Sequence, residues 1–514
     1  MDLFSLPFII LIAATFVLYY VVFLINKLFK RTIIPQWLAL LVASLVFYGF
    51  ANPFYLIFIG ASTLVSYIAG ILVQYELFDD TSFHPVKKDN HLDRRAYENT
   101  ITALAIIINV SVLAVLKYYN FFASSVNAIF HLSTVTANFI IPIGISFYTF
   151  SLIAYHVDCC KRETIAEKNP LKFLLFVSYF PKVLQGPISN YDKLKDDGLF
   201  SQHSFIDNNY LHSFFRIASG LLKKIVIANI IGMYVDSVYT NLSDSYGISL
   251  LITSVLYAIQ LYCHFSGFMD IAIGISGLFG IKLEENFDAP YLAKSIQEFW
   301  RRWHITLGAW LKKYIYIPLG GNRVPIWRWM INILIVWFIS GLWHGARFTF
   351  ITWGLYHGVL LILFGLPHFI KKDKEEKKQN FFISVLKVML TFLLVDIGWI
   401  LFRSGSLHEA SMYFSHMINL LEPNQYHVLS DKALLDYNWI FITALGMVAF
   451  LILVRTCMQY QNVLLCKCKK PEVIKYIATF IVTVAFISLT LYVYIYLHFI
   501  GSIESSSAFI YFDF

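Results

Sequence analysis

Uncharged apolar runs about twenty residues long recur along the whole of this chain. The first extends from about Phe4 to Ile25, and others with few or no charges follow at roughly 32–50, 54–75, 100–119, 136–157, 327–344, 381–402, 437–456 and 476–499. About 20 consecutive apolar residues, coiled as an α-helix, match the thickness of a bilayer's hydrocarbon core. Composition agrees: the 514 residues are 58% hydrophobic and only 14% charged, against roughly 25% charged in soluble chains. A soluble enzyme, a disordered chain, a disulfide scaffold and a collagen-like chain are thereby excluded. The pattern predicts an all-α polytopic membrane protein of 10 to 12 spans forming one integral-membrane domain over residues 1–514. The stretch 171–370 is harder to divide. It contains Pro181, Gly186-Pro187, a polar loop at 188–210 and a basic aromatic segment at 296–325, so re-entrant or interfacial helices are expected there.

Charge placement predicts orientation. No basic residue precedes the first run, whereas Lys27, Lys30 and Arg31 follow it, as in an uncleaved span with its N-terminus outside. Further basic clusters fall at Lys87–Arg95, Lys161–Lys172, Lys371–Lys378 and Lys467–Lys475, so that five short loops hold half of the 40 Lys and Arg residues. The intervening spans are consistent with all five loops being cytoplasmic and both termini extracytoplasmic. The net charge of +8 is then explained by topology, and no nucleic-acid partner is expected. The six cysteines show no disulfide spacing, and Cys466 with Cys468 lacks the second pair that a zinc site requires. No internal repeat is evident, which weakens a transporter built from two related halves.

Chemistry concentrates in residues 260–358. A run from Glu298 through Trp300, Arg301, Arg302 and Trp303 to His304 continues past Lys312 and Tyr314 to the turn Gly320-Gly321-Asn322-Arg323. At helical spacing Trp300, Trp303, His304, Leu307, Leu311 and Tyr314 share one face, and Arg301, Arg302, Gly308 and Lys312 another. One continuous helix so divided would lie along the bilayer interface. Its cations suit either lipid phosphates, the simpler reading for the arginines alone, or the phosphates of a bound nucleotide. His304 falls on the aromatic face, where a structural hydrogen-bonding histidine is the competing reading. The next span ends Ser340-Gly341-Leu342-Trp343-His344-Gly345. Ionisable residues at membrane depth are functional candidates by default, and imidazole can take a hydroxyl proton and release it near neutrality. Glycines flanking His344 leave room for a substrate or for another backbone. His357 is a weaker third candidate, better read as structural. No Gly-x-Ser-x-Gly elbow, phosphate-binding loop or His-Glu-x-x-His helix is present. No carboxylate or cysteine joins His304 and His344 at ligand spacing, so no metal is expected.

The segments Glu298–Leu307, Tyr316–Arg323 and Gly341–Ala346 together closely resemble the membrane-bound O-acyltransferase (MBOAT) family, in its alginate O-acetylase and peptidoglycan O-acetyltransferase branch. Supporting runs are Ile143–Phe150, Tyr179–Pro187, Gly220–Lys224 and Glu285–Tyr291. One departure stands at His264, where the family often carries aspartate.

The resemblance implies a helical bundle around a tunnel, with a catalytic core at about 140–360, C-terminal helices over 381–499 and an extracytoplasmic aromatic tail over 500–514. His344 is then the general base on the incoming hydroxyl, and His304 orients the thioester or polarises its carbonyl. Arg301, Arg302, Trp303, Asn322, Arg323 and Trp343 are the expected donor-binding residues, with Trp343 and the Gly320–Arg323 loop shaping the tunnel. No permanently bound cofactor is implied; acetyl-coenzyme A is the expected acyl donor. The ending Phe509–Phe514 resembles an aromatic C-terminal motif of bacterial acyl-export systems, which makes Tyr511 a candidate acyl carrier, although such tails also serve as interfacial anchors. The expected activity is O-acetylation of an extracytoplasmic polysaccharide or peptidoglycan from the bacterial cell membrane. D-alanyl transfer to teichoic acid and a proton-coupled secondary transporter are the alternatives. An SGNH-type extracytoplasmic partner is implied, because the longest outward loop after residue 402 is about 34 residues, too short for such a domain.

Overall fold

A computed structural model describes residues 5–75, 92–132, 135–183, 186–206, 210–370 and 380–419. These residues are α-helical, with short π and 3-10 turns and no strand beyond one isolated bridge between Phe287 and Trp303. Seven of the described helices are long and apolar enough to cross a membrane, and the chain is a multi-pass membrane protein. The spans expected at 437–456 and 476–499, and Tyr511, lie outside the described residues.

The helices form two compact units, residues 1–213 with 275–284, and residues 214–274 with 285 onward. The first contains α1 (Leu6–Leu28), α2 (Trp37–Ala51), α3 (Pro53–Gln74), α4 (Leu92–Phe130), α5 (Ile145–Cys160), α6 (Pro170–Ser178), α7 (Phe180–Val183) and α8 (Tyr191–Asp196). In it α3 packs against α2, α4, α5 and α6. Two elements differ most from the sequence reading. The run at 100–119 is part of a 39-residue helix, since nothing between 92 and 130 breaks it. The run at 136–157 begins its helix only at Ile145. Pro142 lacks a backbone N–H, and Gly144 starts the helix from the left-handed region (φ 73°) pressed against Val183.

The second unit takes in α9 (Tyr210–Leu221) from residue 214, a π turn (Leu222–Ala228), α10 (Asn229–Thr240) and α11 (Gly247–Leu278) up to residue 274. It continues with α12 (Ile296–Arg302), α13 (Ile305–Leu311), a second π turn (Lys312–Tyr316), α14 (Ile326–His344), α15 (Phe348–Ile370), α16 (Phe381–Arg403) and α17 (Leu407–Ile418). The hairpin of α14 and α15 is its most intimate pair. A Cβ on Gly341 would stand 2.3 Å from the Phe350 carbonyl oxygen, and one on Gly354 2.2 Å from that of Trp337. Small residues at such crossings let two membrane helices meet backbone to backbone. Of the glycines on either side of His344, Gly341 therefore admits another backbone, which was one of the two readings of the sequence, whereas Gly345 makes room for the Phe350 ring.

One partly buried charge cluster in this unit is paired within it. Asp270 accepts from Arg216 at 2.7 Å and from Lys223 at 2.6 Å, and Arg216 also meets Glu285 at 2.9 Å. Charges taken out of water need such partners. This cluster ties α9, the first π turn and α11 to the segment that leads into the histidine-bearing turn.

Candidate active site

Ser295 caps α12: its Oγ accepts the Glu298 N–H at 3.1 Å, and the Glu298 carboxylate reaches back one residue beyond the cap to accept the Lys294 N–H at 2.8 Å. Glu298 also holds Arg302 one turn on, at 2.6 Å. The continuous helix expected beyond this point does not form. Trp303 leaves helical geometry, and His304 adopts a left-handed backbone (φ 46°, ψ 54°) before α13 restarts at Ile305. That conformation costs a non-glycine residue about 1–2 kcal/mol. Asn286 offsets it. Its carbonyl accepts the Ile305 N–H at 3.1 Å, and its side-chain Oδ1 accepts from Thr306 N–H at 2.9 Å and Thr306 Oγ at 2.7 Å. Net hydrogen bonds of this kind contribute about 1 kcal/mol each.

The break turns His304 inward. Its ring is 3% exposed and packs edge-on against Phe265 and Trp343, and neither ring nitrogen has a hydrogen-bond partner among the described residues. Burial lowers its pKa from the usual imidazole value, so the ring is neutral. His344 arrives from the end of α14, 6% exposed, between Trp343, Trp353 and Phe402. The two histidines line one cavity of about 390 Å³, with Trp300, Trp303, Trp337 and Trp353 as its aromatic walls and Ser340 among its few neutral polar groups. Arg301 and Lys312 also line it, and no carboxylate among the described residues does. Two neutral-capable imidazoles, a cation-bearing wall and an apolar interior suit acyl transfer from an anionic donor.

Comparison with known proteins decides the family. The model of the membrane-bound O-acyltransferase family matches residues 160–372. A peptidoglycan O-acetyltransferase of Helicobacter pylori is 34% identical over 77% of this chain and 76% of its own length. A probable alginate O-acetylase AlgI of Pseudomonas aeruginosa is 33% identical over 74% and 69%. The chain belongs to the membrane-bound O-acyltransferase family. A teichoic acid D-alanyltransferase of Bacillus subtilis is similar at 28% identity, over 53% of this chain and 71% of its own.

In this membrane-bound O-acyltransferase the residues singled out from sequence divide. His304, His344, Arg301 and Trp303 line the cavity; Trp343 is not among its lining residues but packs against both imidazoles, its ring 5.9 Å from that of His304 and 4.9 Å from that of His344. Arg301 and Lys312 join His304 there, although straight-helix geometry put them on the opposite face; the left-handed turn removes that division. Arg302 is instead engaged with Glu298 and the Asp288 carbonyl. Asn322 and Arg323 are exposed and off the cavity, on a turn whose Leu319 and Gly321 carbonyls accept from Asn332 of α14. Tyr316, just before that turn, is the residue there that lines it.

His357 is fully buried behind the cavity wall, against Trp300, Trp337 and Trp353. Space for its ring exists because α16 carries Gly398, where a Cβ would stand 2.4 Å from His357 Nε2. His264 is equally enclosed, 1% exposed beside Phe268. Neither lines the cavity. Sequence reasoning did not single out Asn286 or Ser340. The only sign of Asn286 was its place in the Glu285–Tyr291 run, and Ser340 stood unremarked within the His344 motif.

Proposed function

We propose that this O-acyltransferase moves an acetyl group from acetyl-coenzyme A, supplied from the cytoplasm, to a hydroxyl on an extracytoplasmic polysaccharide or peptidoglycan. The observation that carries the reading is the convergence of two buried imidazoles on one cavity that also presents Arg301 and Lys312. In the reaction a hydroxyl oxygen attacks the thioester carbonyl, forming the C–O bond as the C–S bond breaks. His344 takes the hydroxyl proton and returns it to the departing thiolate. His304, whose N–H has no acceptor among the described residues, donates to the carbonyl oxygen as negative charge develops there. Arg301 and Lys312 attract the donor's phosphates.

The relatives support the substrate class: the named activities at 33–34% identity are O-acetylations of peptidoglycan and alginate. On this reading the enzyme sits in a bacterial cell membrane with both termini outside. Tyr511 takes the acetyl group as a phenyl ester, and an SGNH-type partner passes it to the polymer. The test uses purified protein with radiolabelled acetyl-coenzyme A, comparing wild type with Tyr511→Phe. Label should appear as free acetate in both and as protein-bound ester in wild type alone. Equal protein-bound label in Tyr511→Phe would end the carrier role. No turnover of acetyl-coenzyme A would overturn the donor and move D-alanyl transfer from a carrier-protein thioester to the front.

A further inference from the structure

Asn286 is 0% exposed and sits outside the catalytic pair, yet both of its oxygen acceptors serve the turn that aims His304. Its backbone carbonyl takes the Ile305 N–H, and its Oδ1 takes both the N–H and the hydroxyl of Thr306. These are the two residues that follow the left-handed His304 (φ 46°). The amide is itself oriented, because its Nδ2 donates to Met269 Sδ at 3.2 Å, leaving only the oxygen to face Thr306. Its chain segment is anchored at both ends. Glu285 is held by Arg216 at 2.9 Å, and the Asp288 N–H donates to the Arg302 carbonyl at 3.0 Å. His304 has no such support from its own ring, since neither nitrogen is hydrogen-bonded within the described residues. Rotation of the imidazole is therefore limited by packing against Phe265 and Trp343, and its placement depends on the backbone turn.

We infer that Asn286 is a positioning residue for the acyl-transfer step: it holds the left-handed turn that delivers the His304 N–H to the donor carbonyl. This deepens the role assigned above to His304 and rests on it. The physical reason is that a non-glycine residue does not keep this backbone conformation unless its surroundings impose it, and the imposing contacts here come from the backbone carbonyl and side chain of one residue 18 positions upstream. Loss of the Oδ1 acceptor would let residues 303–306 relax toward a regular helix. The imidazole would then swing off the cavity wall without leaving the protein core.

The experiment is a double-mutant cycle on purified enzyme with radiolabelled acetyl-coenzyme A, each variant first checked for a monodisperse detergent peak. Asn286→Ala is expected to lower kcat by about 10²-fold, the scale of a misplacement near 1 Å, with donor KM within about twofold. In a His304→Ala background the same substitution should produce no further loss, because residues that act as a unit are not additive. Asn286→Asp keeps the acceptor oxygen and is expected to recover most of the kcat that wild type shows at the same low pH, where a buried carboxyl stays protonated. Should Asn286→Ala misfold, Thr306→Val carries the test, removing one of the two side-chain contacts; its smaller kcat loss should likewise vanish in the His304→Ala background. Unchanged kcat in folded Asn286→Ala, or an equal further loss with and without His304, would overturn the positioning role. Wild-type turnover by His304→Ala alone would instead sink the role of His304 itself, so the two failures are distinguishable.

Discussion

The contact between α14 and α15 permits a quantitative prediction, because it sets where His344 stands. In Gly341→Ala the new methyl would lie 2.3 Å from the Phe350 carbonyl oxygen, an approach that real Cβ atoms essentially never make below 3.0 Å. The obstacle is backbone and cannot rotate away, so the helices must part by about 0.7 Å or more in a close-packed interior. His344 lies three residues further along the same helix, within one turn of the wedge. A shift approaching 1 Å at a catalytic group costs on the order of 10²-fold in rate, so kcat should fall between about tenfold and a hundredfold. Overpacking of this kind destabilises by about 1–3 kcal/mol, which leaves a membrane protein of this size folded. Gly60→Ala on α3, where nothing lies within 4 Å of the new methyl, is the matched control and should leave turnover unchanged. The assay is initial-rate release of labelled acetate and coenzyme A from detergent-purified enzyme. Wild-type kcat in Gly341→Ala would refute the claim that backbone contact at this crossing positions His344.

Three further outcomes follow from the site. Arg301→Ala and Lys312→Ala should each raise donor KM by about tenfold with little change in kcat, the scale of one lost charge-assisted hydrogen bond. Added salt should weaken wild-type binding more than that of either variant, as read from KM at two ionic strengths. Trp300→Ala, which opens the wall between the cavity and His357, should raise propionyl relative to acetyl turnover several-fold, below the roughly 10–200-fold ceiling for one methylene in an apolar pocket. His357→Leu should keep kcat within about twofold, because a buried ring whose nitrogens have no partner among the described residues is replaced without loss by an apolar side chain; a catalytic loss there would assign His357 a direct role.

The membrane class and several span boundaries were legible because bilayer thickness imposes a length on apolar runs: the run read at 327–344 is α14 at Ile326–His344, and that read at 381–402 is α16 at Phe381–Arg403. The two cavity histidines were legible because each sits in a motif whose composition departs from plain membrane helix. The break at Trp303–His304 was not. Helical periodicity runs through it, no Gly, Pro or Asn marks it, and the residue that imposes it lies in another segment. Reading straight through the break assigned Arg301, Gly308 and Lys312 to a face away from His304, whereas all four line one cavity. The start of α12, by contrast, is written locally in Ser295 and Glu298, three residues apart. The cluster of Arg216, Lys223, Asp270 and Glu285 joins residues up to 69 positions apart, and no local pattern announces such pairing.

The most direct test of the central claim compares wild type, His304→Ala, His344→Ala and the double variant in acetyl transfer from labelled acetyl-coenzyme A, with folding of each checked beforehand. If the two imidazoles act on one thioester in one cavity, each single substitution should remove nearly all turnover and the double variant should lose little more. Wild-type turnover in either folded single variant would contradict the account.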